Sequence, residues 1–472
     1  MTRPDTLDPA LAKTTEQLQL AQQLFSTLVV NDPKTLSPIP GLASRWTASA
    51  DQKEWDFVLR PGVVFSNNTP VTADDVKFSL ERVAHGLPGA AGADLLSLVA
   101  SVVVPAPGVV HISLTSPWSS LPSALASPTL SIVPAGAAGA ATFGQAPVGS
   151  GPFTLAGRSS DLLTLRRSPG SPALLDGIDV HLYDTVAAAY QAFTSGKLDW
   201  SRVPVEEVEA AGRTYGRSLF EPYVAELFYA FNLHSPKFAD VRFRTAISQA
   251  IDRTAVVSGV YQNTVRPSAS LILTGVPGHV DGVCGSVCGH DVAAARASLA
   301  AAFPPGGPPV PTVFLDFDDD PTQQKIAEAI KVGLGEVGIP ASLRVHPADS
   351  YADFLAGSDA ELFRFGWVAP FPAADPLLTP LFTSGSPVNL THFTSADVDA
   401  ALTSARAEPD PARRIADYQG AEKAVLSSVA VIPIAQFVVY SVAAAGVHGL
   451  VLTAAGTFDP ATVWLSPPGS GH

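Results

Sequence analysis

Apolar residues recur three and four positions apart at Leu18, Ala21, Leu24, Phe25 and Leu28, which predicts a helix after the turn Asp8-Pro9. Trp55 to Leu59 alternates and predicts a strand, closed by the turn Arg60-Pro61-Gly62. Thr72, with Asp75 three residues on, caps a helix that carries Val76, Phe78, Leu80 and Val83. Val99–Val104 and Val109–Leu114 predict a hairpin around Pro105-Ala106-Pro107-Gly108. A Gly/Ala linker follows at Ala135–Ala141, then a second hairpin from Phe153–Leu155 and Leu162–Arg166. Ile178–Leu182 predicts a strand, and Val186–Ser195 a helix stopped by Gly196.

The second half of the chain reads differently. Phe228–Leu233 is an apolar strand, Val241–Ile251 and Thr254–Val260 are helical, and Ala293–Ala302 is a further helix. Strand Val313–Phe317, helix Thr322–Val337 and strand Ala341–Val345 form a βαβ unit, hence parallel pairing and an α/β lobe. Asp397–Arg406 and Pro411–Ser427 are the last two helices. No Asp, Glu, Lys or Arg occurs from Ala424 to His448, but Pro433 would break a membrane-spanning helix there. The β-branched content predicts two buried strands instead. No internal repeat is evident.

Composition adds bounds rather than identity. The 472 residues are enough for about three domains or subdomains. The formal net charge of -14 repels phosphate backbones and anionic lipid heads, so nucleic acid and membrane surfaces are not expected partners. Met1 runs directly into Thr2-Arg3-Pro4-Asp5, without basic region, apolar core or cleavage site, so a targeting segment is absent or has been removed.

The two cysteines, Cys284 and Cys288, lie in a glycine-rich stretch that ends at His290. A small disulfide-closed loop fits this spacing and implies an oxidising, extracytoplasmic compartment. A metal site of two thiolates plus His290 lacks a nearby fourth ligand, and free thiols are the remaining option. The run Asp318-Asp319-Asp320 lacks the glycine and terminal glutamate of a calcium loop, and it precedes a helix whose positive end favours carboxylates. Catalytic motifs are missing: there is no Gly-x-Ser-x-Gly elbow, no HExxH and no phosphate-binding loop. The neighbouring pairs Asp74-Asp75 and Glu206-Glu207 point apart on a helix and read as solvated helix starts. No cofactor and no metal are expected.

Seven segments, in order, resemble the extracellular solute-binding family that serves peptide and nickel ABC importers. They are Pro4-Asp5-Thr6-Leu7-Asp8-Pro9-Ala10; Leu42-Ala43-Ser44-Arg45-Trp46; Phe57 to Phe65; Thr69-Pro70-Val71-Thr72-Ala73-Asp74-Asp75-Val76; Val148-Gly149-Ser150-Gly151-Pro152-Phe153; Phe231-Asn232-Leu233 with Phe238 to Ala246; and Gly366-Trp367 with Asp375-Pro376. Each is weak alone, and their shared order carries the resemblance. It implies a non-enzymatic α/β protein with the two-lobed periplasmic-binding-protein-like fold. Lobe one would be 1–222 with 438–472, carrying 39–150 as an extra subdomain, and lobe two 223–437. It also implies a monomer outside the cytoplasm, in the periplasm or on the cell surface, lipid-anchored in its full-length form. Such a protein closes its lobes on a small-molecule or peptide ligand and delivers it to ABC permease subunits. Other members of the family bind oligosaccharides, nickel chelates or haem. A hydrolase working in the cleft is the alternative from another class, and the missing motifs argue against it.

The resemblance also nominates ligand-binding residues. Peptide binders carry Trp-x-x-Asp after the Gly, and that Asp meets the ligand's α-amine. Here Trp367-Val368-Ala369 is followed by Pro370, so the carboxylate is missing at that place. Arg364 matches an arginine that can face a ligand carboxylate, or it is a surface residue at the end of the apolar strand Leu362-Phe363. Phe365, Trp367, Val368, Pro370 and Phe371 are expected near the ligand, together with Tyr229 and Asn232. Trp367 and Phe371 suit core packing as well as a cleft wall, and Asn232 suits capping of the next turn as well as a ligand contact.

Overall fold

The structure, a computed structural model, describes residues 1, 3–139, 142–357 and 359–466. The expected linker Ala135–Ala141 and the expected return segment 438–472 therefore lie partly outside the described residues. Asp8 organises the start of the chain. Its carboxylate accepts from Ala10 N at 3.1 Å, capping the short helix Pro9–Leu11, and it pairs with Arg82 away from solvent. The helix Thr15–Leu24 follows, held by a capping box in which Thr14 and Gln17 bond each other's backbone. It ends before Leu28, earlier than the apolar spacing suggested.

Two glycines in Val148–Phe153 are there for close approach. A Cβ on Gly149 would lie 2.0 Å from Leu24 O, and one on Gly151 2.4 Å from Leu24 C, so the turn packs backbone against the end of the first α-helix. The capping box of Thr72 and Asp75 forms as expected and starts the helix Ala73–Glu81.

The chain divides into two compact units. One comprises Met1–Glu221, Pro370–Pro372 and Val439 onward; the other comprises Pro222–Ala369 and Ala373–Val438. In the first, an antiparallel sheet of four strands runs Ala43–Ala48, Glu54–Leu59, Val109–Leu114, Val99–Ala106 in spatial order. A separate three-stranded sheet joins Phe153–Arg158, Leu162–Arg167 and Gly177–His181. Phe25, Phe143, Phe153, Leu163 and Leu165 fill the core between that sheet and the Thr15–Leu24 helix.

The central strands, most of whose length belongs to the second unit, lie in the order Val431–Ala443, Phe220–Phe231, Leu362–Val368, Val313–Asp318, Ala341–His346. The last pair is parallel and connected by the helix Pro321–Val337, the predicted βαβ unit. Asp320 caps this helix through Thr322 N and Gln323 N, which is the role expected for that acidic run. Leu227, Tyr229, Phe231, Leu315, Leu362 and Ile326 belong to its main core, against the helices Val241–Ala250 and Val292–Ala302.

Two strand expectations need correction. The strand expected from Phe228 starts at Phe220. The charge-free stretch expected as two buried strands is the end of the helix Pro411–Ser428 and one long strand, Val431–Ala443, with only the two-residue strand Val447–His448 beyond. Pro433 sits inside the long strand. It has no N–H to give, and its carbonyl is taken by Arg253 Nε at 2.6 Å. Among the described residues no helix is long and apolar enough to cross a membrane.

Arg253 also shapes the cysteine loop. It is 5% exposed and surrounded by carbonyls: besides Pro433 O it donates to Cys288 O at 2.8 Å. Burial lowers its pKa to about 10. Cys284 and Cys288 are disulfide-bonded, with Cα atoms 5.5 Å apart.

Candidate functional site

The strand Leu362–Val368 carries most of the nominated residues, and its ladder decides where they point. It runs antiparallel to Phe220–Phe231, pairing Arg364 with Tyr229, Phe365 with Phe228 and Trp367 with Glu226. Side chains alternate along a strand and share a face with their cross-strand partners. Arg364 and Val368 therefore stand on the Tyr229 side, while Phe365 and Trp367 stand on the other with Phe228 and Glu226. The nominated residues do not form one surface.

On the first face, Arg364 is no isolated cation. Its Nη1 lies 3.1 Å from Asp318 Oδ2, with about a quarter of the arginine side chain (28%) still exposed. It also stands in the middle of the strand rather than at its end. The sequence places Asp318 in an acidic run at a helix start, and no pattern in it connects Asp318 to Arg364. Tyr229 is fully enclosed, and burial pushes its phenol far above the ordinary value. The hydroxyl of Tyr229 and Arg364 Nε are buried without a protein hydrogen bond among the described residues, and Tyr261 interacts with Gln323 beside them. Both phenols are in electrostatic reach of Arg364.

On the second face, Phe365 and Phe228 pack with ring centroids 5.3 Å apart, and Trp367 stacks near Phe365 at 6.4 Å. The indole N–H of Trp367 donates to Pro376 O at 2.8 Å, tying the Gly-Trp motif to the Asp-Pro motif. Glu226, across from Trp367, is 3% exposed and accepts from Ser268 Oγ at 2.7 Å. Burial raises its pKa well above the carboxylate range, and Glu422 adds to the rise. Glu422 is itself enclosed; its Oε1 accepts from Leu271 N and Ile272 N, and burial raises its pKa too. Neither is legible in the sequence: Glu226 sits in an apolar run that gives no sign of its depth, and Glu422 sits in a charged helix beside Lys423 and reads as a solvated position.

The remaining nominated residues have plain positions. Asn232 is buried and donates to Ala360 O while accepting from His234 N, the turn-capping one of its two expected roles. Val368 and Pro370 are exposed. Phe371 is buried and meets Trp118 edge-on at 6.3 Å. Asp375, the nearest acidic residue after Pro370, is 2% exposed and committed: it accepts from Thr379 Oγ1, Arg406 Nε and Tyr418 OH. No cluster of three or more His, Cys, Asp or Glu suited to a metal occurs among the described residues.

Comparison with known proteins gives this arrangement its context. The chain is 27% identical over 449 residues to the probable D,D-dipeptide-binding periplasmic protein DdpA of Escherichia coli (strain K12), covering 90% of this chain and 85% of that one. It is 23% identical over 467 residues to the oligopeptide-binding protein OppA of Bacillus subtilis (strain 168), covering 92% and 86%. The solved structure of HbpA2 from Haemophilus parasuis matches with a TM-score of 0.91 at 23% identity, over 99% of this chain and 98% of that one. The fold is therefore the two-lobed α/β fold of periplasmic binding proteins. Residues 37–388 match the bacterial extracellular solute-binding proteins, family 5, and this chain belongs to that family.

Proposed function

We propose that the protein captures a peptide-like solute lacking a free α-amine and hands it to the permease of an ABC importer. One observation carries the ligand class. The Gly366-Trp367 motif is followed by Pro370 where an amine-pairing carboxylate is expected, and Asp375, the nearest substitute, already serves Arg406, Thr379 and Tyr418. A free ammonium buried there would keep no counter-charge. N-blocked or cyclic peptides avoid that cost, and so do non-peptide solutes.

In this proposal the lobes are 1–222 with 438–472, carrying the 39–150 subdomain, and 223–437, and they close on the ligand as a hinge. Arg364, Phe365, Trp367, Val368, Pro370, Phe371, Asn232 and Tyr229 define the region that senses it, some by contact and the buried ones by holding the strand. The protein acts as a monomer outside the cytoplasm, lipid-anchored in its full-length form, and turns over no substrate. Family members are substrate-binding transport proteins, which supports that reading. The test is native mass spectrometry of protein purified without refolding, followed by calorimetry with the recovered ligand. Recovery of a free-amine peptide that binds tightly would refute the ligand class, and turnover of the bound compound would refute the transport role.

A further inference from the structure

We infer that Asp318 sets the charge preference of the Arg364 position: by occupying the guanidinium it turns a carboxylate-binding arginine into a neutral, hydrogen-bonding element. This rests on the proposed role of the 364–371 region in sensing the ligand.

The geometry has three parts. Asp318 is the last residue of the strand Val313–Asp318, and its Oδ2 lies 3.1 Å from Arg364 Nη1, with only 11% of its side chain exposed. A charge that enclosed, with an opposite charge at contact, does not swing away into solvent without leaving its partner unpaired. The two neighbours in the acidic run are engaged elsewhere: Asp319 accepts from Ala348 N and Asp320 caps the following helix. Asp318 alone among the three is directed at the arginine. Finally, the phenols of Tyr229 and Tyr261 lie in electrostatic reach of Arg364. The enclosed Tyr229 hydroxyl has no protein hydrogen bond among the described residues, while Tyr261 and Gln323 interact with each other.

An arriving carboxylate would have to share one guanidinium with a carboxylate already bound, bringing like charges together in a partly enclosed place. An amide or hydroxyl brings no such charge. It can use the exposed part of Arg364, which keeps donors that Asp318 does not take. Asp318 therefore selects ligands whose group at this position is uncharged: an amide, an ester or a hydroxyl rather than a free carboxylate. With Pro370 in place of an amine-pairing acid, neither end of a ligand need be charged.

Nuclear magnetic resonance of the full chain tests this without knowledge of the transported solute. The probes are N-acetylglycine, which carries a carboxylate, and N-acetylglycinamide, which does not. Binding is read from Arg364 Nε–H and the backbone amides of residues 362–368. In the wild type, N-acetylglycine should bind no better than the amide. Asp318→Asn should tighten N-acetylglycine by about tenfold or more and leave the amide unchanged, and adding Arg364→Gln should abolish the gain. Asp318→Ser, which removes the carboxylate with less bulk, should behave as Asp318→Asn does and guards against a folding defect in one variant. The inference is overturned if the wild type already prefers N-acetylglycine, or if neither Asp318 variant changes the ratio of the two probes. Failure of the transport reading would appear separately, as turnover of the bound compound.

Discussion

Glu226 stands directly across the ladder from Trp367, and its carboxyl is shut away from water. It accepts from Ser268 Oγ at 2.7 Å, and the second enclosed carboxyl, Glu422, adds repulsion. A carboxyl so placed favours its protonated form in the fold. Because its folded pKa is raised, its stabilising contribution is complete below the unfolded value of about 4.3 and is lost as pH rises through the folded value. Glu226→Gln keeps the acceptor for Ser268 and removes the charge. It should match the wild type at about pH 4 and exceed it by about 1–3 kcal/mol at about pH 8. Denaturant unfolding at both values checks this. A variant that matches the wild type at the lower pH and is weaker at the higher would mean that the ionised Glu226 is needed.

The cysteine loop gives a second expectation. Closing a five-residue loop is worth about 2 kcal/mol in the chain-entropy account. In a unit of this size that corresponds to about 4–8 °C in Tm. The Cys284→Ser, Cys288→Ser double variant should show that loss by calorimetry, and reductant should lower the wild type but not the variant. Cys288 O also receives Arg253 Nη1, so any loss above this figure reports on that buried guanidinium. No Tm difference between oxidised and reduced wild type would show that the crosslink adds nothing.

A third concerns His111. Its Nδ1 lies 2.8 Å from Asp56 and its Nε2 2.9 Å from Glu54, so both ring nitrogens donate when the imidazole is charged. The Asp56 hydrogen bond is the larger cause of its raised pKa, with burial opposing and Glu54 assisting. The sign follows as for any raised cation: the stabilisation is whole below about 6.5 and disappears as pH rises through the folded value. Both acids are half exposed, so the effect stays under about 1 kcal/mol. His111→Gln should cost that much at about pH 5.5 and nothing at about pH 9. An equal loss at both would assign the effect to packing.

How much of this could be read from the sequence depended on the reach of each interaction. The Thr72–Asp75 capping box and the parallel βαβ unit around Pro321–Val337 are local, and they were legible. The family motifs were legible as order along the chain, and the structure supplies physical reasons for two of them: Asp8 pairs with Arg82, and Gly149 and Gly151 clear the backbone at Leu24. The long strands were not. Pro222 and Glu226 hid the first half of Phe220–Phe231, and Pro433 split Val431–Ala443, because a polar or Pro residue inside a strand is tolerated only through tertiary partners such as Ser268 and Arg253. At the candidate site, Arg364 and Trp367 were visible through their motif. Asp318 was not, since its contact joins two strands that are remote in sequence.

The last expectation returns to Pro370. An α-ammonium is strongly hydrated, and enclosing it without a carboxylate is costly. Pro370 offers neither a charge nor an N–H, and it is exposed, so a side chain at this position has room to change. Asp375 does not replace the missing acid. It is enclosed at 2% exposure under Arg406, Thr379 and Tyr418, and turning it outward would break all three of these hydrogen bonds. Wild-type protein should therefore bind free-amine tri- to pentapeptides weakly, and their N-acetylated copies at least as well. Pro370→Asp should reverse the order, favouring the free-amine set by about tenfold or more, with the gain lost on acetylation. Asp375→Asn is the matching control: it should lower stability by about 1–3 kcal/mol through the weakened bonds to Arg406 Nε and Tyr418 OH and leave the order of the two peptide sets unchanged. Calorimetry on both peptide sets with the three proteins decides the matter. Tight binding of free-amine peptides by the wild type, lost in Asp375→Asn, would identify Asp375 as the amine partner and overturn the role given to Pro370.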